Sequence, residues 1–393
     1  MSKSLALLSG KGGSGKTTMA LSIASMLASC GIKVLLIDCD LSTNGATYFY
    51  ENRLSDNNGE IISFYKILSE DVARKYQVLN INPYMDFIPS VIQITKENAE
   101  SYVYKKDDIY KILDFSNTFF ENYDVVLYDC QAGYTDILKL LLPLVDINLV
   151  VMEADTISSS AIRSFHLKAG DILNRKKVYQ IFNKTSKEEY DIYSKLSGGT
   201  VFTNIETVKF DWKIRKAFSV AQIPDMESTS ADYGEQVYNI CGVLFKDENI
   251  QEKLGKYKVV IQLNQNKEEE KKLEDKIDEL HKDSNNTKNK LIKTIYSFMM
   301  PVFAAAIISI FLQFTDREIF RYSSETSLFI IFVVLIMILT MVISLWLMTD
   351  LTKEKRNRYK ELDLYREKLK EIMENSQKLQ KQYDSLNEKL KDI

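Results

Sequence analysis

Gly10, Gly15, Lys16 and Thr17 are spaced as G-x-x-x-x-G-K-[ST]. That spacing suits one chemistry, the cradling of phosphate oxygens. The stretch runs Ser9-Gly10-Lys11-Gly12-Gly13-Ser14-Gly15-Lys16-Thr17-Thr18. Its glycines let the backbone curl so that successive N–H groups converge on an anion. A helix starting at Lys16–Thr18 adds its dipole. Lys16 offers a point charge to the β- and γ-phosphates, and Thr17 a hydroxyl to Mg²⁺. The expected ligands are ATP and Mg²⁺, with Gly12, Gly13, Ser14, Gly15, Lys16, Thr17 and Thr18 as the cradle. Competing chemistries lack the residues. Two histidines, His166 and His281, are too few for a histidine-rich metal centre. They also leave little scope for a Ser-His-Asp triad. The four cysteines (Cys30, Cys39, Cys130, Cys241) form no CxxC pair and read as reduced core thiols.

A phosphate loop works only between a strand and a helix, and the flanking sequence supplies both. Leu5–Leu8 is a short apolar run, and Thr17–Cys30 has helical character ended by Gly31. Val34–Ile37, Val125–Tyr128, Asn148–Met152 and Val178–Phe182 are further apolar runs, separated by helical stretches such as Ser158–Arg175. Short apolar runs alternating with helices predict a doubly wound, mostly parallel α/β sheet covered on both faces. Ligands of such sheets sit beyond the carboxyl ends of the strands. Ser9, Asp38, Asp129 and Asn183 occupy those ends. This domain is expected to span residues 1–250.

The texture then changes. Residues 264–293 are dense in charge, with a heptad seam at Leu273, Ile277, Leu280, Ser284, Thr287 and Leu291. A second and longer seam lies within residues 353–393, at Leu362, Tyr365, Leu369, Ile372, Ser376, Leu379, Tyr383, Leu386, Leu390 and Ile393. Both are expected to be cytosolic coiled-coil helices. Between them, residues 296–314 and 328–348 carry no charged side chain and are 19 and 21 residues long. A bilayer core needs about 20 helical residues, so the reading is a two-helix transmembrane hairpin with 315–327 as an external loop. Lys288, Lys290 and Lys293 before the hairpin, and Lys353, Lys355, Arg356 and Arg358 after it, put both termini in the cytoplasm. The expectation is a multi-pass protein of the cytoplasmic inner membrane, without a signal peptide. The net charge of −3 gives no whole-chain argument for nucleic acid as a direct partner.

Lys11-Gly12-Gly13-x-Gly15-Lys16-Thr17-Thr18 resembles the deviant Walker A motif of the ParA/MinD ATPases, whose extra lysine corresponds to Lys11. Val34–Asp40 followed by Asn44-Gly45-Ala46-Thr47 is similar to the family's second motif. Tyr123–Asp129 with Gly133 resembles Walker B and the second switch. Phe87-Ile88-Pro89-Ser90 and Ala217–Asp225 also fit. The resemblance covers roughly residues 1–250 and implies slow, partner-stimulated, Mg²⁺-dependent ATP hydrolysis by a sandwich homodimer. It implies that Lys11 reaches the partner's phosphates and that Asp40 orients the attacking water. By the same match Asp38 and Asp129 join Thr17 around Mg²⁺, and Gly133 offers an N–H to the γ-phosphate. Asn183 reads the adenine edge, with Pro224 and Asp225 closing the base pocket. Two departures stand out. The usual Asp-x-Pro-Pro-Gly is Asp129-Cys130-Gln131-Ala132-Gly133, and the usual Pro-Gln after the second motif is Leu41-Ser42.

The functional expectation is a membrane-anchored ParA/MinD-like ATPase, dimeric through the ATP sandwich and coiled coils, that recruits, positions or switches a protein partner. One alternative is a bacterial tyrosine kinase-like P-loop ATPase, suggested by the 22 tyrosines. In those enzymes, however, the membrane helices precede the ATPase. Another is a membrane scaffold or signalling protein with ATP-controlled assembly, as in phage defence or conjugation.

Overall fold

A computed structural model describes residues 2–55, 61–69, 77–92, 102–197, 202–222, 226, 229–315 and 324–391. Its strands are β1 (Lys3–Leu8), β2 (Val34–Asp38), β3 (Leu79–Asn82), β4 (Met85–Ile88), β5 (Val125–Asp129), β6 (Ile147–Met152), β7 (Lys177–Asn183) and β8 (Thr203–Val208). They form one sheet in the order β3-β4-β2-β5-β1-β6-β7-β8. All neighbours are parallel except β3 and β4.

The helices that bear on the site are α1 (Lys16–Ser29), α2 (Asp108–Phe119), α3 (Asp136–Leu141), α4 (Thr156–Leu173), α5 (Lys187–Ser197), α6 (Trp212–Ser219) and α7 (Ala231–Leu244). Alternate strand residues face opposite layers. Leu5, Leu7, Val34, Leu36, Val125 and Leu127 pack with α1 and α7 on one side. Ala6, Leu8, Leu35, Ile37, Val126 and Tyr128 pack with α2, α3 and α4 on the other. Coverage on both faces is why the central strands read as unbroken apolar runs. Strand β8, at the edge, is mostly half-buried and carries Thr203, Asn204, Glu206 and Thr207. Its polar alternation hid it from the sequence reading. Gly31 ends α1 with φ +75°, a left-handed conformation that costs glycine little.

Two compact units divide the chain. One comprises Met1–Gln265 together with Leu379–Ile393, the other Asn266–Lys378. In the first, the start of helix α8 (Glu248–Thr315) joins the nucleotide-domain core through Leu254, Tyr257, Val260 and Ile261. Tyr383, from the end of helix α9 (Ser324–Lys391), packs against the same core.

In the second unit α8 and α9 run antiparallel, since Ser376 meets both Asn266 (3.3 Å) and Glu270 (2.8 Å) while Lys276 lies 5.2 Å from the Tyr365 ring. Seam positions Leu273, Ile277 and Leu280 on α8 and Tyr365, Leu369 and Ile372 on α9 are half-buried, and Leu362 is buried. Burial at Ser284, Thr287, Leu291, Leu390 and Ile393 lies outside the described residues.

The membrane expectation does not hold. Among the described residues no helix is long and apolar enough to cross a membrane. The spans 296–314 and 328–348, the multi-pass inner-membrane placement with cytoplasmic termini, and the bilayer as a partner are corrected on that finding. A span needs about 20 consecutive apolar residues. The two apolar runs instead belong to 68-residue helices continuous with charged flanks, and no described stretch reaches the required length and apolarity. Residues 316–323 of the expected external loop lie outside the described residues.

Candidate functional site

The phosphate loop leaves β1 at the point where the chain order along the sheet reverses, with β5 on one side and β6 on the other. This is the crevice where open α/β sheets bind ligands. Packing dictates two of its glycines. A Cβ on Gly10 would lie 2.8 Å from the backbone of Ala161 in α4. Gly15 caps α1 at φ +89°, and a Cβ there would lie 2.2 Å from the Asn183 amide nitrogen. Above the loop is a cleft of about 500 Å³. Gly12, Gly13, Ser14, Lys16, Thr17, Thr18, Asp40 and Asn183 line it.

Lys16 is buried, with its Nζ 3.5 Å from Asp129 Oδ1. Burial, the largest single effect, pulls its pKa down, but Asp129 together with Cys130, Asp40 and Asp38 raises it above its ordinary value, so the group stays charged. Asp38 and Asp129 are register partners on β2 and β5 and are fully buried. Burial, and then the neighbouring Asp129 carboxylate, push Asp38 up to about 7. Burial also raises Asp129, against the pull of Lys16. Asp38 accepts from the Asp40 amide and from the amide and hydroxyl of Thr47, at 2.7–3.0 Å.

Among the described residues Asp129 Oδ2 has no hydrogen-bond partner, and neither do the buried hydroxyls of Ser9 and Ser14. Buried polar atoms left in this state mark places where a ligand, ion or water completes the bonding. Among the described residues no group of three or more His, Cys, Asp or Glu forms a self-contained metal cage. Mg²⁺ does not need one. It binds through one or two carboxylates, water and substrate phosphates, and the oxygens of Thr17, Asp38 and Asp129 fit that donor set.

Asp40 is held tightly. Its Oδ1 accepts from the Ser42 amide (3.0 Å), the Ser42 hydroxyl (2.6 Å) and the Thr43 amide (3.0 Å). Its Oδ2 accepts from the Thr43 hydroxyl at 2.7 Å. Burial favours protonation, yet the Ser42 and Thr43 hydrogen bonds hold the carboxyl below its usual range. Gly133 takes φ +84°, and its N–H donates to the Ser9 carbonyl at 2.8 Å. The Asn183 amide donates to the Ser14 carbonyl at 2.8 Å.

Lys11 lies at the rim, 2.8 Å from Asp155 and 3.1 Å from Glu153 of its own chain. Lys184 joins them, 2.9 Å from Glu153 and 2.5 Å from the Gly13 carbonyl. Pro224 and Asp225 lie outside the described residues.

Two groups at the site escaped the sequence reading, the carboxylates that hold Lys11 and part of the cleft lining. Glu153 and Asp155 follow β6, and Lys209, Phe210 and Asp211 follow β8. Scanning every strand's carboxyl end would have found the first pair. The second group required recognising β8. Asp211 caps α6 by accepting from the Ile214 amide at 3.0 Å and also accepts from the Ser230 hydroxyl. Phe210, Ile214, Arg215 and Phe218 line the same cleft as the phosphate loop.

Residues 2–180 match the family model of an AAA domain. An uncharacterised ATP-binding protein of Methanocaldococcus jannaschii is 27% identical over 199 residues, covering 49% of this chain and 70% of that one. A plasmid partition protein of Borrelia burgdorferi bound to AMPPNP superposes with TM-score 0.53 at 21% identity, over 63% of this chain and 99% of that one. The MinC:MinD cell division complex of Aquifex aeolicus gives 0.50 at 18% identity, over 63% and 97%. The first unit has the fold of the ParA/MinD-type P-loop ATPases. At these identities it is the fold that is shared, and the ParA/MinD likeness extends across the sheet rather than resting on the phosphate loop alone.

Proposed function

We propose that this chain is a Mg²⁺-dependent ATPase of the ParA/MinD type that works as an ATP-bridged homodimer and switches a protein partner. One observation carries the reading. Lys16 and Thr17 line one cleft, Lys16 reaches the buried Asp129 whose register partner is Asp38, and Lys11 is held at the rim by partly exposed ion pairs. Lys16 would hold the β- and γ-phosphates, with Thr17, Asp38 and Asp129 around the cation. Mg²⁺, when bound, neutralises phosphate charge.

The remaining roles belong to the chain's own groups. Lys11 would leave Glu153 and Asp155 to reach the partner's nucleotide, placing a second cation where charge develops. Gly133 would exchange the Ser9 carbonyl for the γ-phosphate, and Asp40 would orient water. Asn183 and the apolar wall of Phe210, Ile214 and Phe218 would take the base, with Pro224 and Asp225 assigned to the same pocket by the family resemblance alone. The helical unit 266–378 offers a surface for the protein partner. Nucleic acid has no direct role in this reading.

Nucleotide binding, light scattering and phosphate release test it together. Lys16→Ala is expected to abolish ATP binding. Lys11→Ala should bind ATP and stay monomeric, and Asp40→Ala should accumulate an ATP-bound dimer. Unchanged turnover in Asp40→Ala would sink the water-orienting role.

A second reading, in which ATP mainly sets assembly and turnover is very slow, is favoured by the Asp40 carboxylate being closed in by Ser42 and Thr43. Strong ATP-dependent dimerisation with negligible phosphate release distinguishes it. The kinase reading loses ground because Tyr365 lies against Lys276 and Tyr383 against the core.

A further inference from the structure

Asp40 is tied to the loop after β5 by a chain of hydrogen bonds that the phosphate-loop chemistry does not by itself require. The Gln131 amide donates to the Ser42 hydroxyl at 3.0 Å, and that hydroxyl donates to Asp40 Oδ1 at 2.6 Å. The direction is fixed. A carboxylate can only accept, Ser42 has one hydroxyl proton to give, and its oxygen then accepts from the Gln131 NH₂.

A turn capped by Asp40 would need only the amides of Ser42 and Thr43. Here both hydroxyls close on the carboxylate as well, and the Gln131 amide, from the loop after β5, donates in turn to the Ser42 hydroxyl. Strands β2 and β5 are bonded in register up to Asp38 and Asp129, and the Cys39 amide donates to the Asp129 carbonyl at 2.9 Å. The tie therefore joins the tails of the two strands that carry the buried aspartates. Asp40, Ser42, Thr43 and Gln131 all line the nucleotide cleft.

We propose that Gln131 and Ser42 are positioning residues for Asp40: Gln131 holds the Ser42 hydroxyl on Oδ1, where the Ser42 and Thr43 amides also donate, and this leaves Oδ2, whose acceptance among the described residues is from Thr43, as the acceptor that faces the attacking water. Both belong to the two segments that depart from the family pattern, Leu41-Ser42 and Gln131-Ala132. The side-chain relay thus does in this chain what rigid prolines would do by fixing the backbone. Because Gln131 lies two residues before Gly133, release of the Gly133 amide from Ser9 moves the same loop and couples phosphate contact to Asp40 geometry.

The inference rests on the ATPase reading, and the experiment separates the two. Full-length wild type, Asp40→Ala, Gln131→Ala, Ser42→Ala, Ser42→Thr and the Gln131→Ala/Ser42→Ala pair are compared with Mg²⁺-ATP for kcat, KM and ATP affinity. Ser42→Ala is expected to lower kcat about tenfold and Gln131→Ala about threefold, with KM and affinity unchanged, since hydrogen bonds to a charged group outweigh neutral ones. The double variant should be no slower than Ser42→Ala, because both changes break one chain. Ser42→Thr should restore most of kcat. Losses that multiply, an effect confined to KM, or unchanged kcat in Gln131→Ala beside an inactive Asp40→Ala overturn the relay alone. Wild type without turnover, or Asp40→Ala as fast as wild type, overturns the ATPase reading and the relay with it.

Discussion

Two buried carboxylates in register, Asp38 and Asp129, are costly in a domain without nucleotide, and Lys16 offsets only part of that cost. The consequence for stability has a definite sign. Asp38 is pushed up to about 7 in the fold, whereas an unfolded aspartate titrates near about 4. Between those values the folded chain keeps a proton that the unfolded chain has lost, so stability falls as pH rises through the window and levels off above it. Thermal midpoints of nucleotide-free, Mg²⁺-free protein should decline from about pH 5 to about pH 7.5, and Asp38→Asn should flatten the decline. A midpoint that climbs over that range contradicts the assignment.

At the rim, Glu153 and Asp155 hold Lys11 in its own chain. Replacing both (Glu153→Gln with Asp155→Asn) removes a competitor for the lysine. Half-maximal dimerisation should then need about fivefold less ATP, the scale of partly exposed ion pairs, as read by sedimentation. An unchanged or higher requirement would show that these ion pairs do not compete with dimerisation.

At the scale of elements, the phosphate loop is positioned by contacts at both of its ends. Gly10 lies against α4, and Gly15 lies under Asn183 at the end of β7. Gly15→Ala adds left-handed strain of about 1–3 kcal/mol and a Cβ that collides with the Asn183 amide. It should lower the melting temperature and weaken ATP binding together. The loop was legible in the sequence because its residue types and spacing are local, and so were Asp38 and Asp129, which end apolar runs. Lys11's partners were not, since Glu153 and Asp155 lie more than a hundred residues away and are chosen by the pairing of β1 with β6. Nor was β8, where an edge strand's polar alternation leaves no apolar run to count.

For the whole molecule, the division at Gln265 and Leu379 puts the chain's last residues in the same unit as the nucleotide domain. A chain ending at Lys378 loses Tyr383 from a core that includes Leu254, Tyr257 and Val260. It should be less stable by about 1–2 kcal/mol while keeping its ATP affinity. Loss of ATP binding would mean that the terminal segment supports the site directly.

The sequence by itself determined the phosphate loop, the parallel α/β sheet and the helical C-terminal region, because each is written in local spacing. The tertiary structure decided what local spacing cannot: which carboxylates hold Lys11, which hydroxyl and amide fix Asp40, and which part of the helical region joins the nucleotide domain. It also decided against reading two charge-free runs as membrane spans, because charge-free length describes a segment, whereas a span must be a helix long and apolar enough in the folded chain. Contacts between distant residues follow from strand order and packing, and those are settled only when the whole chain is assembled.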